Sequence, residues 1–506
     1  MLTDWHLRNP ALFDKVVSPE AAALLIEDGM TIGTSGFTPQ GFPKLVPSAL
    51  AKQVAGGRKV RLTLASGASN GAACDDELAK VGAVACRLPF YARAMKNMRA
   101  GIDKREIEFM DLHLSHTAEE YIADFHGHMD VAIVEALAIT ENGDLILTTG
   151  VGNTPAYVAC ADKVIVELNT AQPKELEGIH DIYLQQRPPH RSILQIERPE
   201  DRIGTPYVKC GLDKIAAIVE SNVLDKVIPM KEPDEKSRRI ANNLINFWKS
   251  EIAAGRLPQN LLPMQSGVGA IANAVLYCLK DSGFKDLVMY SEILQPSVID
   301  LIDAGIVRLA SGCAFNTTPS VYERFRANPN FYRDKIILRP LDISNSGEVI
   351  HRLGCIACNT AVEVDIYGHE NSTHVNGSKM LNGIGGSNDY MRNAYLSIFL
   401  TESTADNDNI SRVVPVCSHV DNTEHDMMVF ITEYGVADLR HKSPVQRARE
   451  IINNCAHPDF RPMLTDYLER AISQTGGHEP HILQEALSWH IRYQETGSMK
   501  PLSKGA

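Results

Sequence analysis

One carboxylate in this chain follows directly after a short apolar run, in residues 286–295, DLVMYSEILQ. The run lies between the polar DSGFKD and a new segment that starts at Pro296, a pattern typical of a buried parallel strand. The strand then ends at Glu292. Ligands of open α/β sheets bind outside the carboxyl ends of the strands, which favours a chemical role for Glu292. The alternative is a surface acid at a strand end.

Amide, acidic and imidazole side chains occur elsewhere in motifs that could assist such a carboxylate. They are Asn345 in LDISNS, Glu363 and Asp365 in EVDIYG, Asn371 and His374 in NSTH, His419 in CSHVD and Glu433 in TEYG. The histidines and acids show no metal-binding spacing such as HxxxH or HExxH, so we expect no metal. The chain has no GxSxG elbow, which disfavours a serine hydrolase.

The remaining groups are a carboxylate with amide and backbone donors. A carboxylate can attack an acyl thioester to form a mixed anhydride, which the released thiolate reopens. The product of this second step is a glutamyl thioester on the enzyme.

Three glycine-rich turns stand ahead of stretches able to form a helix. They are residues 33–41 (GTSGFTPQG), 265–275 (QSGVGAIANAV) and 382–390 (NGIGGSNDY). The backbone N–H groups of such turns can face a phosphate or a developing oxyanion. Each turn alone is a weak signal, since glycine turns between a strand and a helix are common.

The middle turn also supports a rival hypothesis, because GVGAIA matches the GxGxxA pattern of dinucleotide-binding folds. Glu292, twenty residues after Ala272, then takes the position of the ribose-binding acid. Against this, Pro258 and Pro263 stand where the central first strand would lie, and proline removes ladder hydrogen bonds. An NAD(P)-binding oxidoreductase is therefore the alternative of another class.

Length and composition limit the possible architectures and partners. A chain of 506 residues, 44% hydrophobic, is too long for one core, and its net charge of −12 disfavours nucleic acid or an anionic membrane as a partner. No window approaches the roughly 18 apolar residues of a spanning helix. The N-terminal segment MLTDWHLRNPALFDK lacks an apolar core, and the ten cysteines are scattered, which together favour the cytoplasm. The single CxxC, Cys355 and Cys358, lies in an apolar run and is better explained as core than as a metal or redox site.

Apolar strands alternate with helical patterns in both halves of the chain, which predicts two mostly parallel α/β domains. We expect an N-terminal domain over residues 1–225, a charged linker with two prolines at 226–236, and a C-terminal domain over 237–506 that carries Glu292. The latter begins with an amphipathic helix at 237–254. Two such halves suggest a substrate cleft between them.

Ten motifs spread over nearly the full length are informative together. They are SGFTPQGFPK, LLPMQSGVGAIANAV, MYSEILQ, ISNS, HRLG, DIYGHENSTHV, NGIGGS, VCSHVD, VADLRHKSPVQRAREII and CAHPDFRP. Through them the chain resembles the acetyl-CoA hydrolase/transferase family of class I CoA-transferases, and in particular the succinyl-CoA:acetate and propionyl-CoA:succinate CoA-transferases. The resemblance implies two similar α/β domains with the active site between them, no metal or prosthetic group, and a homodimer.

The resemblance also implies roles for individual residues. Glu292 corresponds to the nucleophile that becomes a glutamyl-CoA thioester, and Asn345 corresponds to an amide donor to the oxyanion. The positions that correspond to the CoA site are Gly267, Val268, Gly269, Ala270, Ile271, Val362, Asn382 and Gly386. The implied reaction moves CoA between succinyl-CoA, acetyl-CoA or propionyl-CoA and acetate or succinate. An acetyl-CoA hydrolase using the same glutamate is the alternative, because motifs do not determine access of water.

Three positions differ from the pattern of the family. Asn388 replaces a glycine next to the GIGG loop, Tyr434 replaces a glutamine, and Asp406 stands where a lysine commonly meets CoA phosphate. A carboxylate repels phosphate. We therefore expect either another cation, from among Lys379, Arg392 and Lys226, or weaker affinity for CoA.

Overall fold

A computed structural model describes residues 2–90, 92, 94–189, 191–225 and 232–501. The chain forms two compact units, and neither is one continuous stretch. The first comprises Met1–Pro229, Val288–Leu353 and Gly383–Asp389, and the second comprises Met230–Leu287, Gly354–Asn382 and Tyr390–Ala506. Most of the predicted linker, including Lys226, lies outside the described residues, whereas its last two residues belong to the helix Glu235–Ala253.

A parallel sheet forms the centre of the first unit. Its strands lie in the order Glu108–Phe109, Val84–Leu88, Leu62–Ala65, Thr31–Thr34, Val131–Ile139, Lys163–Asn169 and Ile215–Ser221. All neighbours in this order are parallel, and Leu145–Leu147 pairs antiparallel with Val131–Ile139. The central strand Val131–Ile139 is buried along its whole length, as expected for a parallel sheet covered on both faces.

The first unit also contains, from Val288 onward, the strands that position Glu292. Leu287–Tyr290, Val307–Gly312 and Ile336–Leu338 are neighbours in that order, and a short parallel pair, Ile293–Leu294 with Ala314–Phe315, follows the first of them. The helices of this unit are Pro19–Ala23, Leu45–Ala55, Asp75–Lys80, Lys96–Asp103, Leu114–Ile122, Thr154–Cys160, Pro296–Asp303, Pro319–Ala327, Pro329–Arg333, Leu341–Ser344 and Gly347–Leu353.

The second unit repeats the pattern. Its strands lie in the order Met264–Ser266, Ile356–Thr360, Leu396–Leu400, Val429–Thr432 and Gly435–Asp438. The first four are parallel and the last is antiparallel. Its helices are Glu235–Ala253, Ala270–Leu279, Pro444–Cys455, Arg461–Gln474 and Ser488–Thr496, and Ser387–Asn393 begins in the first unit's last segment. The predicted α/β class with mostly parallel sheets is confirmed.

Two expectations about the second unit need correction. The strand Met264–Ser266 begins directly after Pro263, so the prolines do not prevent a strand ahead of the glycine turn. The Pro263 carbonyl accepts a hydrogen bond from Ile356 N (2.8 Å). Proline is tolerated at the start of a strand, because it can accept a hydrogen bond there without having an N–H to donate. The helix predicted at 237–254 instead spans Glu235–Ala253, because the side chain of Asp234 caps it by accepting from Ser237 N.

Two further structural facts bear on the sequence predictions. Cys355 and Cys358 are both buried, and burial raises the pKa of each thiol, which confirms their place in the core. Among the described helices, we find none that is both long enough and apolar enough to cross a membrane.

Candidate active site

Glu292 lies in a gap between two strands, where its backbone is firmly held. The buried strand Leu287–Tyr290 ends two residues before it, and Ile293–Leu294 begins directly after it. The carbonyl of Glu292 accepts hydrogen bonds from the N–H groups of Cys313 (2.6 Å) and Ala314 (3.2 Å). The side chain is only partly exposed. The backbone therefore fixes where the carboxylate can reach, while one side of it remains open to solvent.

Asn345 supplies the amide that contacts this carboxylate. It follows the four-residue helix Leu341–Ser344, which it ends with a hydrogen bond from its own N–H to Leu341 O (2.9 Å). Its side chain is fully buried, and Nδ2 donates to Glu292 Oε1 at 2.9 Å. The predicted nucleophile and the predicted amide donor, 53 residues apart in the chain, are thus in direct contact.

Gly386 completes the group from the third glycine turn. A Cβ atom at this position would overlap the Glu292 carboxyl group and the Asn345 amide nitrogen. Only the absence of a side chain lets the backbone approach so closely. The turn is anchored by Asp111, whose carboxylate accepts from Ile384 N at 2.9 and 3.1 Å.

Asp389 is a fourth member that the sequence analysis missed. It is buried, and its Oδ2 accepts a second hydrogen bond from Asn345 Nδ2 (3.1 Å). Ser115 holds it from the other side, with Oγ donating to Oδ1 (2.7 Å) and N donating to Oδ2 (3.1 Å). The only signal in the sequence is an acid three residues after Gly386 in GIGGSND, since Ser115 lies 274 residues away.

The electrostatics of the group favour a carboxylate that is easily neutralised. Burial raises the pKa of Glu292 to about 7, the negative charge of Asp389 raises it further, and the hydrogen bond from Asn345 opposes both. Within the part of the chain that the structure describes, no lysine or arginine forms an ion pair with Glu292. Burial likewise raises the pKa of Asp389, against the donors of Ser115 and Asn345. Glu292 is therefore a poorly stabilised anion near neutral pH.

This arrangement suits nucleophilic attack more than binding. A carboxylate of raised pKa is more basic than an exposed one, and its ionised form is not neutralised by a cation. The Asn345 amide provides a hydrogen-bond donor next to the carboxylate, and Gly386 leaves room beside it. An acyl-transfer site requires both.

The glycine turn at 267–271 lies in the second unit. Gly267 N donates to Cys358 O (2.9 Å), and Val268 is exposed. Gly269 has φ 129° and ψ −174°, a conformation essentially restricted to glycine, and precedes the helix Ala270–Leu279 without a side-chain cap. Ala270 and Ile271 form the first turn of this helix, where N–H groups carry partial positive charge. The loop has the form expected of a phosphate-binding turn.

Val362 and Asn382, also in the second unit, approach one common segment. Val362 N donates to Asn371 O (2.8 Å), and Asn382 Nδ2 donates to Ser372 O (3.4 Å). Both side chains are partly exposed. The structure therefore groups the predicted site residues into two sets. Glu292, Asn345 and Gly386 lie in the first unit, and Gly267, Val268, Gly269, Ala270, Ile271, Val362 and Asn382 lie in the second.

Several polar residues named from sequence instead have structural partners. Glu363 accepts from His490, Asn371 and Ser418, and these donors lower its pKa despite burial. Asp406 is exposed, and its Oδ2 accepts from Tyr493 OH (3.2 Å).

Comparisons with known proteins identify the family of the chain. The model of the acetyl-CoA hydrolase/transferase N-terminal domain matches residues 5–220, and that of the C-terminal domain matches residues 319–468. The chain is 50% identical over 500 residues to a succinyl-CoA:acetate CoA-transferase of Clostridium kluyveri, covering 99% of this chain and 93% of the relative. It is 42% identical over 513 residues to an acetyl-CoA hydrolase of Schizosaccharomyces pombe, covering 98% of each.

A solved structure shows the same fold at lower identity. The 4-hydroxybutyrate CoA-transferase of Porphyromonas gingivalis superposes with a TM-score of 0.62 at 21% identity, over 90% of this chain and 98% of that one. None of these matches supports an oxidoreductase. With both family models matched and relatives of 42–50% identity along nearly its whole length, the chain belongs to the acetyl-CoA hydrolase/transferase family.

Proposed function

We propose that this protein is a CoA-transferase that moves CoA from a short acyl-CoA to a small carboxylate through a glutamyl-CoA thioester on Glu292. The observation that carries the proposal is the Glu292 carboxylate itself. It is largely buried, has its pKa raised to about 7, and is hydrogen-bonded to the buried amide of Asn345. A carboxylate kept in this state is suited to a reaction in which it loses its charge.

In the first half-reaction, an oxygen of Glu292 attacks the thioester carbonyl, and the C–S bond breaks. This step gives a mixed anhydride and CoA thiolate. The thiolate then attacks the glutamyl carbonyl and releases the first carboxylate, which leaves the glutamyl-CoA thioester. The second carboxylate reverses the sequence, so ping-pong kinetics are expected. Asn345 Nδ2, 2.9 Å from Glu292 Oε1, is the donor we assign to the developing oxyanion.

The choice of substrates rests on the relatives. The Clostridium kluyveri protein, 50% identical, is a succinyl-CoA:acetate CoA-transferase, so we propose succinyl-CoA or acetyl-CoA with acetate or succinate for this chain. Residues 267–271, Val362 and Asn382 of the second unit are proposed to bind CoA. The reaction requires no metal or prosthetic group, and treatment with EDTA should leave the rate unchanged.

Acetyl-CoA hydrolysis is the second candidate, and the 42% identical relative of Schizosaccharomyces pombe supports it. The two reactions share every step up to the glutamyl thioester and differ only in the acceptor. Water ends the hydrolytic cycle, whereas a carboxylate ends the transfer and conserves the energy of the thioester. We favour transfer because an activated water could attack acetyl-CoA directly, without a covalent intermediate.

Mass spectrometry of the intact protein tests the proposal. Brief incubation with succinyl-CoA or acetyl-CoA, followed by borohydride reduction, should modify Glu292, and Glu292→Gln should remain unmodified under the same conditions. Addition of acetate or succinate to a separate aliquot that has not been reduced should discharge the thioester and form new acyl-CoA. An adduct that decays equally fast without a carboxylate indicates the hydrolase. If no acyl-CoA gives an adduct, covalent catalysis by Glu292 is refuted.

Assembly and location complete the proposal. We propose a cytoplasmic homodimer, as the resemblance to the family suggests. Light scattering coupled to size-exclusion chromatography measures the mass of the assembly, and a mass near 55.7 kDa for one chain would contradict the dimer.

A further inference from the structure

The amide of Asn345 makes two hydrogen bonds through one nitrogen, and both acceptors are carboxylates. Nδ2 donates to Glu292 Oε1 at 2.9 Å and to Asp389 Oδ2 at 3.1 Å. An amide nitrogen carries two hydrogens, so these contacts use its full donor capacity. The reversed amide would turn its carbonyl oxygen toward two carboxylates that offer it no hydrogen. Asp389 therefore selects the orientation in which a donor faces Glu292.

Asp389 is itself held by groups outside the reacting centre. Ser115 donates to it through Oγ (2.7 Å) and through its backbone N–H (3.1 Å). Ser115 lies in the first turn of the helix Leu114–Ile122, where unpaired N–H groups stabilise an anion. Helix, Asp389, Asn345 and Glu292 thus form one continuous chain of hydrogen bonds.

Asp389 acts on Glu292 in two ways: its charge raises the pKa of Glu292 directly, and its hydrogen bond from Asn345 Nδ2 fixes the amide that contacts Glu292. Asn345 Oδ1 has a weaker constraint, a contact with Ser344 Oγ at 3.2 Å. Without Asp389, rotation of the amide by half a turn would put a carbonyl oxygen beside the nucleophile. Such a rotation removes the donor that the oxyanion needs.

We propose that Asp389, held by Ser115, is the positioning residue that keeps the Asn345 amide nitrogen directed at the reacting carboxylate. This inference rests on the proposed function and extends it by Asp389, a residue of the third glycine turn to which the motifs assign no role. The proposed positioning depends on the oxygen of Asp389 that accepts from Asn345 more than on the negative charge of Asp389. An asparagine at 389 can place its oxygen at the Oδ2 position, keep the bond from Asn345 and donate its own amide to Ser115 Oγ.

Variants at positions 389 and 115, alone and combined with Asn345→Ala, test the role through the rate of glutamyl thioester formation at saturating acyl-CoA. Asp389→Ala should lower this rate by roughly 10- to 100-fold with little change in KM, because the amide loses its fixed orientation. Asp389→Asn should stay within about fivefold of wild type, because the acceptor is retained. In an Asn345→Ala background, Asp389→Ala should lower the rate by less than about twofold, since the residue through which it acts is gone.

Ser115→Ala is a milder perturbation of the same hydrogen-bonded chain, and it provides the test if Asp389→Ala folds poorly. It should lower the rate by roughly 3- to 10-fold, and this loss should also vanish in the Asn345→Ala background. The inference would be overturned if Asp389→Ala forms the thioester as fast as wild type. It would also be overturned if the rate losses of Asp389→Ala and Ser115→Ala persist in full in the Asn345→Ala background. If wild type forms no thioester, the proposed function itself fails. Thioester formation without coupling between positions 389 and 345 refutes the inference alone.

Discussion

Replacing Gly386 with alanine separates the effect of one methyl group on chemistry from its effect on folding. The added Cβ would overlap the Glu292 carboxyl group and Asn345 Nδ2. The φ angle of Gly386 is not in the positive region, so alanine is not strained by its backbone and the whole effect comes from these contacts. Inserting a methyl group into a packed site costs about 1–3 kcal/mol of unfolding free energy. The low end applies here, since the overlaps are with side-chain atoms and the partly exposed side chain of Glu292 can swing away.

The reaction does not tolerate this movement of the Glu292 side chain. The movement breaks the 2.9 Å hydrogen bond from Asn345 and displaces the attacking carboxylate oxygen by roughly 1 Å, and a displacement of this size typically costs about 100-fold in rate. We expect Gly386→Ala to form the glutamyl thioester roughly 100-fold more slowly than wild type. Rapid-quench mass spectrometry at saturating acyl-CoA measures this rate, and urea unfolding measures the stability.

Gly56→Ala is the matched control. Gly56 ends the helix Leu45–Ala55 with φ −78°, and the nearest atom to an added Cβ is 3.3 Å away. The same substitution there should change the rate less than twofold. If Gly386→Ala keeps more than about a tenth of the wild-type rate, the close approach of this loop to Glu292 has no catalytic importance and the reasoning is refuted.

Four further predictions concern charge at and near the site. Burial raises the pKa of Glu292 to about 7, so kcat/KM should fall about tenfold per pH unit below 7 and level off above it; an acid limb near the ordinary value of glutamate would contradict this. Because the pKa of Glu292 is raised in the folded state, its contribution to stability is fully present below pH 4.5 and is lost as the pH rises through 7. Glu292→Gln should therefore stabilise the fold by at most about 3 kcal/mol at pH 8, and by progressively less toward pH 4.5. Urea unfolding at both pH values measures this difference. Asn345→Ala should lower kcat by roughly 10²- to 10³-fold with little effect on KM, and an unchanged kcat would remove its amide from the oxyanion site. Asp406→Lys should lower KM for acyl-CoA in low salt, with a difference that shrinks as salt is added; an unchanged KM would place Asp406 away from the phosphates.

The alternation of apolar strands with helical patterns was enough to predict an α/β fold, but not all of its strands. Val84–Leu88 is part of the first sheet although it contains Arg87. That guanidinium is fully buried and pairs with Asp75 at 3.1 Å. The sequence of this apolar run does not show that Arg87 is buried, because Asp75, the partner that lets the arginine enter the core, lies twelve residues earlier in the chain.

The same limit applies to the site. Glu135 and Glu292 look alike in sequence, as single acids in apolar strands, and burial raises the pKa of each to about 7. Glu135, however, lies within 2.5 Å of Lys44 Nζ and accepts from Thr148 at 2.8 Å. The Glu135 carboxylate is part of an ion-pair network, whereas the Glu292 carboxylate accepts a hydrogen bond from the amide of Asn345. Only tertiary structure distinguishes a structural acid from a candidate nucleophile, because the decisive partner lies 91 residues away.

The burial that raises the pKa of Glu292 also bears on transfer against hydrolysis. In the proposed mechanism, acylation turns a buried anion into a neutral thioester, which is better suited to its surroundings than the free carboxylate. The intermediate should therefore accumulate, and its lifetime then depends on what reaches it. Relatives named for either activity are 42–50% identical to this chain, as expected if the two reactions share the formation of the intermediate and differ in its decay. The informative quantity is the decay rate of the isolated glutamyl thioester, measured with and without a carboxylate acceptor, since formation of the adduct is common to both reactions.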